Sequence, residues 1–160
     1  MGNGAFHGWD MKLKNYTSNV PESRTIARIE ECLAEAGATG ISKDYKEGRL
    51  LALTFRVSLP SGRSMSIRLP ANSDGVFTAM MKGVKRPRSS TAGKIREQAG
   101  KTAWKLMQDW VEVQLSLIHM QQADFVQVFL PYVWDGKSTF YEQLKAKNFL
   151  ALPQAKEEAV

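Results

Sequence analysis

Two hydrophobic rhythms divide this chain. Between Leu51 and Leu69 apolar and polar residues alternate, the period of a half-buried strand. Leu51, Leu53, Phe55, Val57 and Leu59 fall on one face, and Ala52, Thr54, Arg56 and Ser58 on the other. Met65, Ile67 and Leu69 alternate in the same way with Ser64, Ser66 and Arg68. Pro60-Ser61-Gly62 between the runs suits a three-residue hairpin loop, with Gly62 at its left-handed position. That register pairs Val57 with Met65 and Phe55 with Ile67. It also sets Arg56 opposite Ser66 and Thr54 opposite Arg68. One face is then core, and the other is small, polar and basic. Ile41 to Tyr45 reads as a further short strand, closed by a turn around Glu47-Gly48.

Helical spacing governs the rest. Ile26, Ile29, Leu33 and Ala36 predict a helix over about 20–36, opened by Asn19 and Glu22 at capping-box spacing with Pro21 in the first turn and stopped by Gly37. Asn72, Ser73 and Asp74 offer caps for a short helix bearing Val76, Phe77, Met80 and Met81, broken by Gly83 and Pro87. Ser89, Ser90 and Thr91 offer the next start, for a long helix to about Met120 spanning roughly 45 Å. On a wheel of ~100° per residue its apolar residues, Trp104 and Trp110 among them, share about half the circumference. Both tryptophans are therefore expected in the core, and Gln114 and Gln121 fall inside the same arc. Asp124 can cap a turn carrying Phe125, Val128 and Phe129. Pro131 ends that turn, Asp135-Gly136 reverses the chain, and a last helix begins near Ser138.

The switch from period two to helical periodicity predicts an α+β fold. The expected architecture is a small antiparallel β-meander packed against one long helix, with several shorter helices around it. A length of 160 residues suits one domain, placed here at 12–150. Residues 1–11 are glycine-rich and aperiodic. They are expected to be a flexible arm, which Phe6 and Trp9 could anchor, or residues not native to the chain, with Met11 a candidate internal start. Residues 151–160 are expected to fray.

Composition removes several function classes. Cys32 is the only cysteine, so an internal disulfide or a thiolate metal cage is excluded. His7 and His119 are the only histidines, and no metal or other cofactor is expected. No apolar run approaches the ~20 residues that span a bilayer, so no membrane partner is expected. The N-terminus lacks a secretory pattern, and position six lacks the Ser or Thr that myristoylation prefers.

Charge adds the one strong local signal. Lys82, Lys85, Arg86, Arg88, Lys94, Arg96 and Lys101 face only Glu97, and this segment carries the whole formal net charge of +6. Such a local excess points to an anionic partner, with phosphates the commonest kind. The segment also leads into a helix N-terminus, where unpaired N–H groups and the helix dipole attract anions. Lys94 and Arg96 would stand in the first turns, where a cation costs ~0.3–1 kcal/mol, and a bound phosphate would offset that cost. Lys85, Arg86, Arg88, Lys94 and Arg96 are the candidate anion- and nucleic-acid-binding residues. Arg56, Arg68 and Arg63 could extend the site along the polar sheet face. That face has no Phe, Tyr or Trp and so lacks a stacking platform for bases. The competing readings are a solvated basic loop and an ordinary exposed sheet face.

Other chemistry is thin. Asp109 and Glu112 lie one helical turn apart, as an acid–base or metal pair requires, but they fall on the polar half of the wheel and read as a solvated face. Cys32 has no neighbouring histidine in sequence, and His119 at a helix end needs no further role. Tyr132, Trp134, Phe140 and Tyr141 cluster late in the chain, as cover for the core or as a protein-contact surface. No nucleophile pairing or phosphate-cradling glycine loop is present, and the chain is not expected to be an enzyme.

Several stretches, taken together, resemble a known family. They are Lys14-Asn15-Tyr16-Thr17, Thr25-Ile26, Ala36-Gly37-Ala38, Arg68-Leu69-Pro70-Ala71-Asn72, Ala103-Trp104-Lys105, Asp109-Trp110-Val111-Glu112-Val113-Gln114 and Val128-Phe129-Leu130-Pro131-Tyr132. Over about 12–147 the chain resembles small proteins encoded in bacteriophages and prophages, a family that carries no functional residue onto this one. The resemblance implies a phage accessory protein acting in bacterial cytoplasm. Joined to the basic segment, it suggests a non-catalytic module that binds nucleic acid without reading sequence. The alternative is a counter-defence or host-takeover protein that inhibits a host protein or sequesters a small anionic nucleotide signal.

Overall fold

The computed structural model describes residues 14–86 and 88–154. Expectations for the N-terminal arm with Phe6 and Trp9, for Pro87, and for the tail beyond residue 154 lie outside the described residues. The elements, in chain order, are α1 (Glu22–Glu35), β1 (Gly40–Lys46), β2 (Arg49–Ser58), β3 (Ser64–Pro70), α2 (Ser73–Met81), α3 (Ser89–His119), α4 (Phe125–Phe129), a 3₁₀ turn (Leu130–Tyr132) and α5 (Phe140–Ala146). The three strands form one antiparallel sheet in the order β1-β2-β3, so the fold is α+β. The described residues fall into two compact units. One comprises the chain up to Ile29 and Ala71–Trp110, and the other Glu30–Pro70 and the chain from Val111 onward.

The sheet unit follows its turn chemistry. Glu47 and Gly48 both have positive φ, at 51° and 75°, as a two-residue hairpin of the type I′ kind requires. They join Lys46 to its partner Arg49. The second loop is Pro60-Ser61-Gly62, with Gly62 at φ 79° and the Leu59 N–H donating to the Arg63 carbonyl at 2.8 Å. The register predicted from alternation holds, with Val57 on Met65, Arg56 on Ser66, Phe55 on Ile67 and Thr54 on Arg68.

One strand expectation fails. Leu51 is exposed, while Leu50 and Ala52 are buried. A β-bulge between Asp44 and Tyr45 sets Tyr45 against Leu50 and Asp44 against Ala52, which leaves Leu51 without a partner on β1. An extra residue of this kind reverses the alternation on one side of itself. Beyond the bulge Leu53 and Phe55 face inward, as the pattern predicts. The Phe55 ring meets Phe125 and Phe129 of α4 edge-on, at centroid distances of 6.3 and 5.6 Å. The outer edge of β3 is also used. Val133 bridges to Ile67, and the Trp134 N–H donates to the Ser66 carbonyl at 2.8 Å.

The helices begin and end for local reasons. Pro21 stands just outside α1, its carbonyl accepting from the Arg24 and Thr25 N–H groups, so the helix starts later than its sequence suggests. Gly37, at φ 97°, terminates α1. Its N–H donates to the Ala34 carbonyl and that of Ala38 to Leu33, the paired bonds of a Schellman motif. Gln121 plays the same part after α3, at φ 58°, with its N–H on Ile118 and that of Gln122 on Leu117. Gln121 is thus an exposed terminator past the helix and not a member of its apolar arc. Asn72 caps α2, and Asp124 and Thr139 open α4 and α5 with capping boxes completed by Gln127 and Glu142.

In the other unit, Thr25, Ile26 and Ile29 of α1 are buried, as are Ala99, Thr102, Ala103 and Trp104 of α3. The Glu22 side chain of α1 lies over Gly100 of α3, where a Cβ would meet its carboxylate. Trp110, expected in the core, is only half-buried. The buried positions Trp104, Gln108 and Val111 lie four and three residues apart, on one ridge of the helix. Trp110 shares its face with the buried Ala99 and Ala103, eleven and seven residues before it, so burial of that face lessens along the helix, and a single wheel hides the change by projecting the whole length onto one arc. Trp104 is only 1% exposed, so Trp104→Ala should cost about 3–5 kcal/mol of stability. Trp110→Ala should cost clearly less. Chemical denaturation of the two variants side by side checks the order, and equal losses would contradict this placement.

Candidate functional site

The basic segment forms the connection between α2 and the start of α3. Lys82 follows the last turn of α2, where a cation complements the negative end of the helix dipole. Arg88 immediately precedes α3, and its carbonyl accepts from the Ala92 N–H at 2.9 Å. The first turn of α3 carries no acidic residue. Lys94 therefore stands near the positive end of this dipole with no acidic residue in the first turn to offset it.

The cations of the segment divide into engaged and unengaged. Arg96 donates to the Asp74 carboxylate of α2, and its guanidinium carbon lies 3.7 Å from the centre of the Phe77 ring. This double contact clasps α2 to α3 and fixes both ends of the basic connection. Arg96 is a positioning residue as much as a candidate contact. Lys101 pairs with Glu97 at 2.9 Å, one turn before it on α3. Lys82, Lys85, Arg86, Arg88 and Lys94 are exposed, and none forms an ion pair among the described residues.

Arg56 and Arg68 belong to the sheet unit, so the proposed extension of the basic edge falls in a separate unit from the edge itself. Arg56 is exposed beside Ser42, Thr54 and Ser66, around a shallow hollow of about 200 Å³. Arg68 pairs with Asp44 of β1, and its guanidinium carbon lies 4.6 Å from the centre of a Trp134 ring. The late aromatic residues differ in exposure and in contact. Trp134 is half-buried under Arg68, and Phe140 is half-buried with its N–H on the Val133 carbonyl. Tyr141 is 45% exposed, with its ring 5.8 Å from that of Phe149. Tyr132 and Tyr141 share a cleft with Arg68.

Sequence reading missed a second polar cluster. Asp109, on the half of the helix that its sequence pattern leaves to solvent, accepts from Lys14 Nζ, from Asn15 Nδ2 at 2.9 Å and from Lys105 Nζ at 3.2 Å. Nearby, the Thr102 hydroxyl donates to the Asn15 carbonyl, and Gln98 Nε2 donates to the carbonyls of Tyr16 and Ser18. Together these bonds strap residues 14–18 to α3. Lys105 to Asp109 was legible as an i,i+4 pair, whereas Lys14 and Asn15 lie too far away in sequence for any local pattern to reveal them. Glu112 has a different neighbour, Cys32 Sγ at 3.8 Å.

Among the described residues, no three His, Cys, Asp or Glu side chains come together as a metal site would need, and no helix is long and apolar enough to cross a membrane. No protein-family model, curated protein or solved structure matches the chain.

The Asp109 cluster makes a pH prediction. Partial burial raises the carboxyl pKa, but the bonds from Lys14, Asn15 and Lys105 outweigh it and hold the group down at about 2. A carboxylate whose pKa falls on folding stabilises the fold above its unfolded value and loses that contribution as pH falls through the folded value. Wild-type stability should therefore decline between about pH 4 and pH 2, and Asp109→Asn should flatten that decline while lowering stability at neutral pH. Denaturation midpoints across this range check it; parallel pH profiles for the two proteins would refute the assignment.

Proposed function

We propose that this protein is a non-catalytic phage accessory module that binds the phosphates of nucleic acid through the connection between α2 and α3, without reading sequence. The observation that carries the reading is the run of exposed cations at Lys82, Lys85, Arg86, Arg88 and Lys94, unpaired among the described residues. Acidic partners are supplied to Arg96 and Lys101, just beyond that run on α3, yet not to its members. Uncompensated positive charge next to a helix N-terminus is an electrostatic attractor for phosphate. Lys85, Arg86, Arg88 and Lys94 are the proposed contacts, and Arg96 holds their platform in place. The phage context rests on the sequence resemblance alone.

The chemistry implies backbone contact without base readout. Lysine and arginine on a short connection can track phosphates, and no aromatic side chain lies between Lys82 and Lys101 to stack on bases. Affinity should then fall steeply with salt and change little with base composition.

About four phosphate contacts predict a log–log salt slope of roughly −3 to −4, and the combined variant Lys85→Ala, Arg86→Ala, Arg88→Ala should reduce its magnitude by about 2 to 3. Fluorescence anisotropy with labelled single- and double-stranded oligonucleotides at several salt concentrations measures both. Absence of binding at low salt, or an unchanged slope in the variant, would refute the proposal.

A further inference from the structure

The sheet unit contains a concavity that joins two groups the sequence keeps far apart. A cleft of about 470 Å³ is lined by Arg68, Tyr132, Thr139, Tyr141, Glu142 and Lys145. Its volume lies within the roughly 300–1,000 Å³ typical of small-molecule sites.

The lining is already ordered. Arg68 projects from β3 with one terminal nitrogen on Asp44 and its guanidinium over Trp134. A guanidinium has donors on all three nitrogens, so those not turned to Asp44 remain to bind a ligand, and their geometry is fixed beforehand. Tyr141 is backed by Phe149, and Tyr132 is set by the 3₁₀ turn that contains Pro131. Glu142 uses its carboxylate to accept the Thr139 N–H at 2.7 Å, closing the cap of α5. Lys145, one turn further along α5, is exposed and forms no ion pair among the described residues.

We propose that this cleft binds a nucleoside monophosphate, with the planar base against Tyr132 or Tyr141 and the phosphate between Arg68 and Lys145. Two tyrosine rings provide stacking surfaces that suit any base. Arg68 and Lys145 provide a forked and a point cation, a pairing suited to phosphate. The nearby carboxylates of Asp44 and Glu142 balance those two charges, which favours a single phosphate over a polyphosphate chain. Binding here is independent of the basic edge, which lies in the other unit.

Isothermal titration of the purified full chain with adenosine 5′-monophosphate tests the proposal, with adenosine and inorganic phosphate titrated separately. Saturable binding of the monophosphate is expected, with each half alone binding more weakly. Tyr141→Ala and Lys145→Ala should each weaken it about tenfold. Both residues are exposed, so the variants should keep the wild-type circular dichroism and melting temperature. The Lys85/Arg86/Arg88 variant should bind the monophosphate as the wild type does. Three results would each overturn the proposal: no saturable binding; affinity retained in both Tyr141→Ala and Lys145→Ala; or affinity lost in the Lys85/Arg86/Arg88 variant, which would place the ligand on the basic edge.

Discussion

Strand β2 has a neighbour on each side and must satisfy both ladders with one face turned inward, and the sheet unit follows from how it does so. A slip of one residue would turn every side chain of the strand to the opposite face. Two turns prevent that slip, at Glu47-Gly48 and at Pro60-Ser61-Gly62. The bulge at Leu51 is the compromise between them. It lets Leu50 and Ala52 turn inward near one turn while Leu53 and Phe55 do so toward the other. Phe55 can then meet Phe125 and Phe129, and Arg68 emerges on the opposite face beside Asp44 and Trp134. Register is thus what places a cation and an indole together at the border of the aromatic cleft.

Charge is distributed unevenly between structural and unengaged roles. Arg68 and Arg96 each combine a carboxylate with an aromatic face, and each joins two elements of its own unit. An arginine held in this way loses little further freedom when it binds a ligand, and its plane is fixed by the ring beneath it. Asp109 shows the reverse arrangement, one carboxylate gathering three donors and fastening residues 14 and 15 to α3. Against this background the unpaired run from Lys82 to Lys94 stands out. Like charges held close together repel one another, a cost that an arriving phosphate would relieve.

Much of the fold was legible because its signals are local. Alternation gave the strands and the register of the second hairpin, since pleating imposes a period of two on any half-buried strand. Asn72 and Asp124 cap helices, and Gly37 and Gly62 sit at positive φ, because these conformations depend on the residue and its immediate neighbours. The basic segment was equally plain, since charge density is counted along the chain. Of the candidate site, the exposed lysines and arginines were readable, but their pairing was not.

Tertiary structure decided the rest, in each case because the partner is distant in sequence. Nothing near Arg96 indicates that Asp74 and Phe77 will hold it, and nothing near Arg68 announces Trp134. Asp109 looks solvated until Lys14 and Asn15 reach it. Trp110 looks central until burial proves to lessen along its own face of α3, complete at Ala99 and Ala103 and only partial at Trp110. Tyr132 and Tyr141 become a cleft only where β3 brings Arg68 beside them. The sequence by itself determined the elements, most of their caps and the location of the charge, because those depend on residues a few positions apart. Which charges are spent and which surfaces become concave depends on long-range contacts, and these exist only once the chain has folded.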